Sequence, residues 1–378
     1  MIYFDNNAST MVAQEVFDAM KPFLTGEFGN PSSGHAAATK ARMAIAQARE
    51  NVARMLGASD PSEIVFTSGG TESDNWAILG TLEMQPGKKH IVTTAVEHEA
   101  VRKLCEKLEK QGCEVTWLGV DEQGELDLGE LKKALRPDTA IVSIMTANNQ
   151  TGVIFPVAEA AAVVKANSHA LFLTDGVNAA GKMPIDLKNT QIDMMSISGH
   201  KFYAPKGIGA LYIRNGIALP SSLIGGGQEN GRRAGTEAAH QIAGLGAAAA
   251  LMTDLTSLGH IRVLRDRLES GILASIPNAS VNGGGNRLPN VTNISFENTN
   301  GEMIMHALDE IGVCVSTGSA CSDAHRKASG VLAAMNVPYS RAMGAIRFSL
   351  GRYNTEAEVD FVLERLPAIV EKLHTMAA

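Results

Sequence analysis

The sequence predicts an α/β protein with one large, mostly parallel sheet and a smaller α+β unit beside it. Three observations carry that expectation. Short apolar runs alternate with longer amphipathic ones from about residue 60, the runs are almost continuously apolar, and the alternation changes character after about residue 255. EIVFTS, HIVTTA, CEVTWLG, AIVSIMTA and ALFLTD read as successive strands, covered on both faces because they leave no polar side. TESDNWAILGTLEM, EHEAVRKLCEKLEKQ and VAEAAAVVKANS read as the helices between them. ISGHK continues the series as a strand ending at Lys201.

An alanine-rich helix around 238–255 closes this part. Beyond it HIRVLRDRLESGILASI, NVTNISFE, GEMIMHALDEI and a final helix from about Thr355 suggest a separate unit. The expected division is a large domain over residues 15–255 and a small one from residues 1–14 and 256–378. GGGQENGRRAGTE and NGGGNRLPN read as glycine-rich loops.

With 378 residues, 45% of them hydrophobic, the chain can bury a full core. Its 33 basic and 40 acidic side chains give a net charge of −7 without long like-charge blocks, which argues against a phosphate-backbone binder. MIYFDNNAST lacks a basic region followed by an apolar run, and no stretch reaches roughly 18 uninterrupted apolar residues. A cytoplasmic protein without a membrane partner is expected. Cys105, Cys113, Cys314 and Cys321 form no CxxC pair and no zinc-like cluster with His, so reduced thiols and no metal are expected.

In open α/β sheets ligands lie beyond the carboxyl ends of the strands. Five ends here carry polar groups: Ser68-Gly69-Gly70-Thr71-Glu72, Glu97-His98-Glu99, Asn148-Asn149-Gln150, Asp175, and Ser198-Gly199-His200-Lys201. SGGTES fits a helix start that binds an anion through free N–H groups, or simply a turn and cap; it is neither GxGxxG nor a Walker loop. A nicotinamide dehydrogenase is therefore a poor reading. Lys201 is either a lysine reaching solvent or a desolvated amine that forms an imine with an aldehyde. Asp175 is either a turn residue or the partner of a ring nitrogen in a pyridoxal electron sink. His98 alone reads as a helix-start residue; beside the others, it suits stacking over a cofactor ring.

DNNAST, FGNPSSGH, FTSGGTESDN, VEHEAV, NNQTG, SGHKFYAPKGIGALY, GRRAGTE, STGSAC and IRFSLGRYN occur in that order along the chain. Together they resemble the cysteine desulfurases of the nitrogen-fixation and iron–sulfur-assembly type, fold-type I pyridoxal 5'-phosphate enzymes of the class V aminotransferase group. The resemblance implies Lys201 joined to the cofactor as an imine, Asp175 on the pyridinium nitrogen, His98 on the ring, and Asn149 on the phenolic oxygen. Gly70, Thr71, Ser198 and His200 would hold the phosphate, with Thr236 supplied by the second subunit of a homodimer. Arg347 would bind the substrate carboxylate, a task suited to a guanidinium fork.

The implied reaction turns L-cysteine into L-alanine and leaves sulfur on a protein cysteine as a persulfide for an acceptor protein. Lys201 is the implied proton shuttle, with His98 able to assist. Cys321 matches the family's nucleophile. Small residues precede it, giving the segment freedom to move, and His325, Arg326 and Lys327 follow, whose charges favour a thiolate. Cys314, between two valines, reads as a small buried hydrophobe. Three departures from the family pattern stand out: Asn178 for the usual Gln, Gln150 for the usual Glu, and AHRKAS after the nucleophile. A selenocysteine lyase or other amino-acid lyase, or an inactive dimeric scaffold for sulfur transfer, would share most of these motifs. The sulfur's destination is not legible in the chain.

Overall fold

The computed structural model describes residues 1–317 and 329–377. Its strands, in chain order, are β1 (Ile2–Tyr3), β2 (Ile64–Thr67), β3 (His90–Thr94), β4 (Glu114–Leu118), β5 (Thr139–Ser143) and β6 (Leu171–Asp175), followed by β7 (Met194–Ser198), β8 (Gly209–Ile213), β9 (Ala279–Val281), β10 (Val291–Phe296), β11 (Val313–Cys314) and β12 (Ala345–Ser349). Seven form one sheet in the order β2-β8-β7-β6-β5-β3-β4. β8 pairs antiparallel with both β2 and β7, while β3 to β7 pair in parallel. Six strands therefore point one way, and their carboxyl ends share one edge. The sequence reading passed over β8, whose GALYI is brief and follows a glycine-rich run.

Helices cover both faces, as the apolar runs demand. On one face Val65, Ile91, Ile141, Leu173 and Leu211 pack with Trp76, Ile78, Val101 and Leu104 from the helices Gly70–Met84 and Glu99–Lys110. On the other, Phe66, Val92, Val142, Phe172 and Ile197 meet the helices Thr39–Leu56, Val157–Asn167 and Ala239–Leu251. Thr39–Leu56 and Ala239–Leu251 come so close that a Cβ on Gly246 would lie 2.4 Å from the Ala48 Cα.

A further cluster joins Phe4, Ile261, Leu268, Ile294, Phe296, Leu308, Val313, Phe348, Val359 and Leu366. It packs the helices Ser257–Ser275, Gly301–Glu310 and Glu356–Ala377 against the antiparallel set β12-β10-β9. β1 pairs in parallel with β11, which brings the start of the chain into this cluster. Among the described residues, no helix is long and apolar enough to cross a membrane.

Gly246→Ala should lower unfolding free energy by about 1–3 kcal/mol, the usual range for overpacking. Urea denaturation followed by circular dichroism reads this directly, and an unmoved midpoint would contradict the close helix approach.

Candidate active site

At the end of β2, the Thr67 hydroxyl meets the Ser73 hydroxyl at 2.8 Å, pinning the turn that starts the helix Gly70–Met84. Gly69 caps that helix at φ 152°, a conformation open to glycine, and a Cβ on Gly70 would lie 2.5 Å from Val177 Cγ2. The free N–H groups face a cavity of about 380 Å³ lined by Ser68, Gly69, Gly70, Thr71, Ser198 and His200, among others. Partial positive charge at a helix start suits it to an anion. Glu72 also lines the cavity. Its burial pushes the carboxyl up, but hydrogen bonds from Arg233, at 2.9 Å, and from the Ser68 N–H, at 2.7 Å, outweigh that and bring it below its ordinary value.

Behind this cavity three carboxyl groups are buried. Asp175 closes β6, and its Oδ1 accepts the Val177 N–H at 2.8 Å. Burial raises its pKa, opposed by the positive fields of His98 and Lys201. Asp74, from the helix Gly70–Met84, is raised well above the carboxylate range by burial and by the charge of Asp175. Glu97 is pushed up to about 8, chiefly by burial, although its Oε1 accepts from the Met145 N–H and the Thr94 hydroxyl. At neutral pH Glu97 is thus mostly protonated, and Asp175 is the carboxylate that His98 and Lys201 favour as an anion. The buried Oδ1 of Asn178 has no hydrogen-bond partner.

Facing the acids is a group of basic side chains. β7 ends at Ser198, and Gly199–Lys201 forms a single 3-10 turn, so Lys201 lies beyond the strand rather than ending it. Its amine donates to the main-chain oxygen of Asn7 at 2.5 Å. His200 contacts the Ser9 hydroxyl through Nδ1 at 3.3 Å; burial, then Lys201, lowers its pKa to about 4, leaving it neutral. His98 caps the helix Glu99–Lys110, accepting the Ala100 N–H at Nδ1. Arg347, on β12, is 4% exposed: Nη2 donates to Asp5 Oδ1 at 2.6 Å, Nη1 to the Asn149 main-chain oxygen at 3.1 Å, and Nε is buried without a hydrogen-bond partner.

Gly70, Thr71, Ser198 and His200 thus line one cavity, and Asp175, His98 and Lys201 lie within electrostatic reach of one another. Asn149 and Arg347 join them through Asn7. Thr236 is exposed and is not among the residues lining the cavity. Cys321 and the His325, Arg326 and Lys327 that follow it lie outside the described residues. Cys314 pairs with Tyr3 between β1 and β11 and is half-buried, its thiol pushed up by burial and by Asp309. Two departures from the family pattern meet: the Ser329 hydroxyl, ending AHRKAS, donates to Gln150 Oε1. Sequence reasoning missed Asp5, Asn7, Lys182 and Asn290. Asn7 was in view as part of DNNAST, and the asparagine side chain it carries was the available signal.

The family Aminotransferase class-V matches residues 2–362. The chain belongs to that family. Its relatives include Cysteine desulfurase 2 of Trichormus variabilis, 51% identical over 379 residues that span all of this chain and 95% of that protein. Among solved structures, a NifS-like protein superposes with a TM-score of 0.92 at 38% identity, covering 98% of this chain and all of that one. SspA in complex with cysteine superposes at 0.84 and 37% identity, covering 94% of this chain and all of SspA. Within the class-V family the chain is a cysteine desulfurase, and pyridoxal phosphate is its cofactor. The residues present fit that group. The helix start suits the phosphate, the buried carboxyl of Asp175 suits a protonated ring nitrogen, and the unpartnered Asn178 Oδ1 is a buried acceptor beside them.

The raised Glu97 carries a pH prediction for the cofactor-free protein. Its contribution to stability is complete below the ordinary 4.5 and is lost as pH rises toward about 8. Relative to Glu97→Gln, the parent should therefore lose on the order of a few kcal/mol across that window. Denaturant melts of both proteins at the two ends of the window check it, and parallel profiles would count against a protonated Glu97.

Proposed function

We infer that the protein takes sulfur from L-cysteine, releases L-alanine and passes the sulfur through Cys321 to an acceptor protein. One observation carries the reading above others. Asp175, Lys201 and an anion-binding helix start converge on one sheet edge, in a chain half-identical to a cysteine desulfurase.

When bound, pyridoxal phosphate supplies an electron sink for the pair left at the substrate Cα. Gly70, Thr71, Ser198 and His200 hold its phosphate, with Thr236 from a second copy of the chain. Asp175 holds the ring nitrogen, His98 lies against the ring, and Asn149 and Asn178 serve the phenolic oxygen. Lys201 anchors the cofactor and moves the Cα proton; His98 is placed to assist. Arg347 receives the substrate carboxylate. Its unpartnered Nε and its tie to Asp5, which fixes the guanidinium plane, support that role.

The sulfur step needs no outside oxidant. The Cys321 thiolate attacks the substrate sulfur, an S–S bond forms as the C–S bond breaks, and the carbon that loses sulfur gains protons on its way to alanine. Neutral His200, neighbouring Lys201, keeps an extra charge out of the phosphate site. A homodimer is supported by Thr236 and by Leu223 and Ile224 in the loop before it, which leave 47% and 97% of their surface exposed. The division into a domain over 15–255 and another over 1–14 with 256–378 is supported by the apolar cluster that Phe4 shares with residues 261–370.

Alanine and persulfide formation from L-cysteine should vanish in Cys321→Ala and persist in Cys314→Ala, with the visible cofactor band kept in both. Full activity in Cys321→Ala would sink the assignment and favour a lyase that needs no enzyme thiol. Arg347→Ala should raise KM for L-cysteine roughly 10- to 100-fold, as loss of hydrogen bonds to a charged group requires. An unchanged KM would place the carboxylate elsewhere.

A further inference from the structure

Lys182 is a buried amine that the reaction described above leaves unused. It sits in the turn after β6, seven residues past Asp175, and is 6% exposed. Burial, then the cationic neighbours Lys201 and Arg347, holds its pKa well below 10.5, and it acts in turn on His200. A charged amine at this point would add an uncompensated ion to a group that already contains Lys201 and Arg347. In either protonation state the amine can donate a hydrogen bond, and the recipient is Asn7 Oδ1 at 3.2 Å.

Asn7 is fully buried, and each of its polar atoms is engaged. Its N–H donates to the Ser349 hydroxyl at 2.9 Å, its Nδ2 to the Asn149 main-chain oxygen at 3.2 Å, and its Oδ1 also accepts Asn290 Nδ2 at 3.0 Å. The remaining atom, the main-chain oxygen, accepts the Lys201 amine at 2.5 Å. Side chain and carbonyl of one residue are separated by few bonds, so restraining the amide orients the carbonyl.

We propose that Lys182 is a positioning residue for Lys201: by holding the side chain of Asn7, it sets the main-chain carbonyl that receives the Lys201 amine whenever that amine is free. The inference rests on the reading of Lys201 as the cofactor-bearing lysine. An amine that donates N–H to a fixed carbonyl has its lone pair directed away from that carbonyl, which is the orientation a base needs to collect a proton. Without the Lys182 bond the Asn7 amide keeps Asn290 and Asn149 but loses one of the two donors on its oxygen. The carboxylate site at Arg347 keeps its contacts with Asp5 and Asn149.

The test uses the holoenzyme loaded with pyridoxal phosphate. Lys182→Met should lower kcat for L-cysteine by about 10-fold or more while KM stays within about 3-fold, since positioning of the base changes and carboxylate binding does not. Lys182→Gln keeps an uncharged donor and should recover most of the loss at matching thermal stability. Parental kcat in the Met variant overturns the proposal, as does a Gln variant as slow as Met at equal stability. If the Met variant does not fold, a Gln variant with kcat lowered about 10-fold or more at parental thermal stability overturns it. Lys201→Ala tests the underlying reading separately, because it should lose the visible band; a retained band would remove Lys201 from its role and the positioning proposal with it.

Discussion

The buried hydrogen bonds of Asn7 are the constraint on which the rest of the site depends. They join the turn after β6 and the segment after β7 that carries Lys201 to the final strand β12, which belongs to a different sheet. A polar residue with no solvent exposure must find partners inside the protein. Once Asn7 is placed, its partners are placed as well, and the neighbouring Asp5 brings in Arg347. The N-terminal segment thus acts as a tie between the large sheet and the antiparallel set that carries the substrate-facing arginine.

Charge is distributed around this tie with economy. Asp74, Glu97 and Asp175 lie buried on the acidic side, and Lys182, His200, Lys201 and Arg347 on the basic side. In a low-dielectric interior neighbouring like charges cannot all be ionised, so burial keeps Glu97 mostly protonated and His200 neutral, and lowers the pKa of Lys182. The neutral members still donate and accept hydrogen bonds, which is how they hold the working groups without disturbing their fields.

Much of this was legible in the sequence, and what was not has a physical cause. The parallel strands announced themselves because strands covered on both faces must be apolar throughout, and the ligand-bearing ends followed from their direction. β8 was missed because reversing one strand leaves no mark in a short apolar run such as GALYI. ISGHK was read as one strand, but the turn at Gly199 comes after Ser198, and only the packed structure shows it. Lys182 could not be found by pattern: a lysine normally reaches water, and its burial arises from residues distant in sequence. The contact between Gln150 and Ser329 was equally hidden, since two substitutions reveal a partnership only when the chain brings them together.

The parallel pairing of β1 with β11 has a consequence for how the molecule comes into being. Residues 2 to 10 find their partners at His200, Cys314 and Ser349, so contacts distant in sequence are needed to place them. Contacts of such separation form late, after the sheet between them has closed most of the intervening loop. The large sheet can therefore assemble while Lys201 still awaits its Asn7 carbonyl and Arg347 its Asp5. The catalytic edge is thus completed by contacts far apart in sequence, which form after the more local ones.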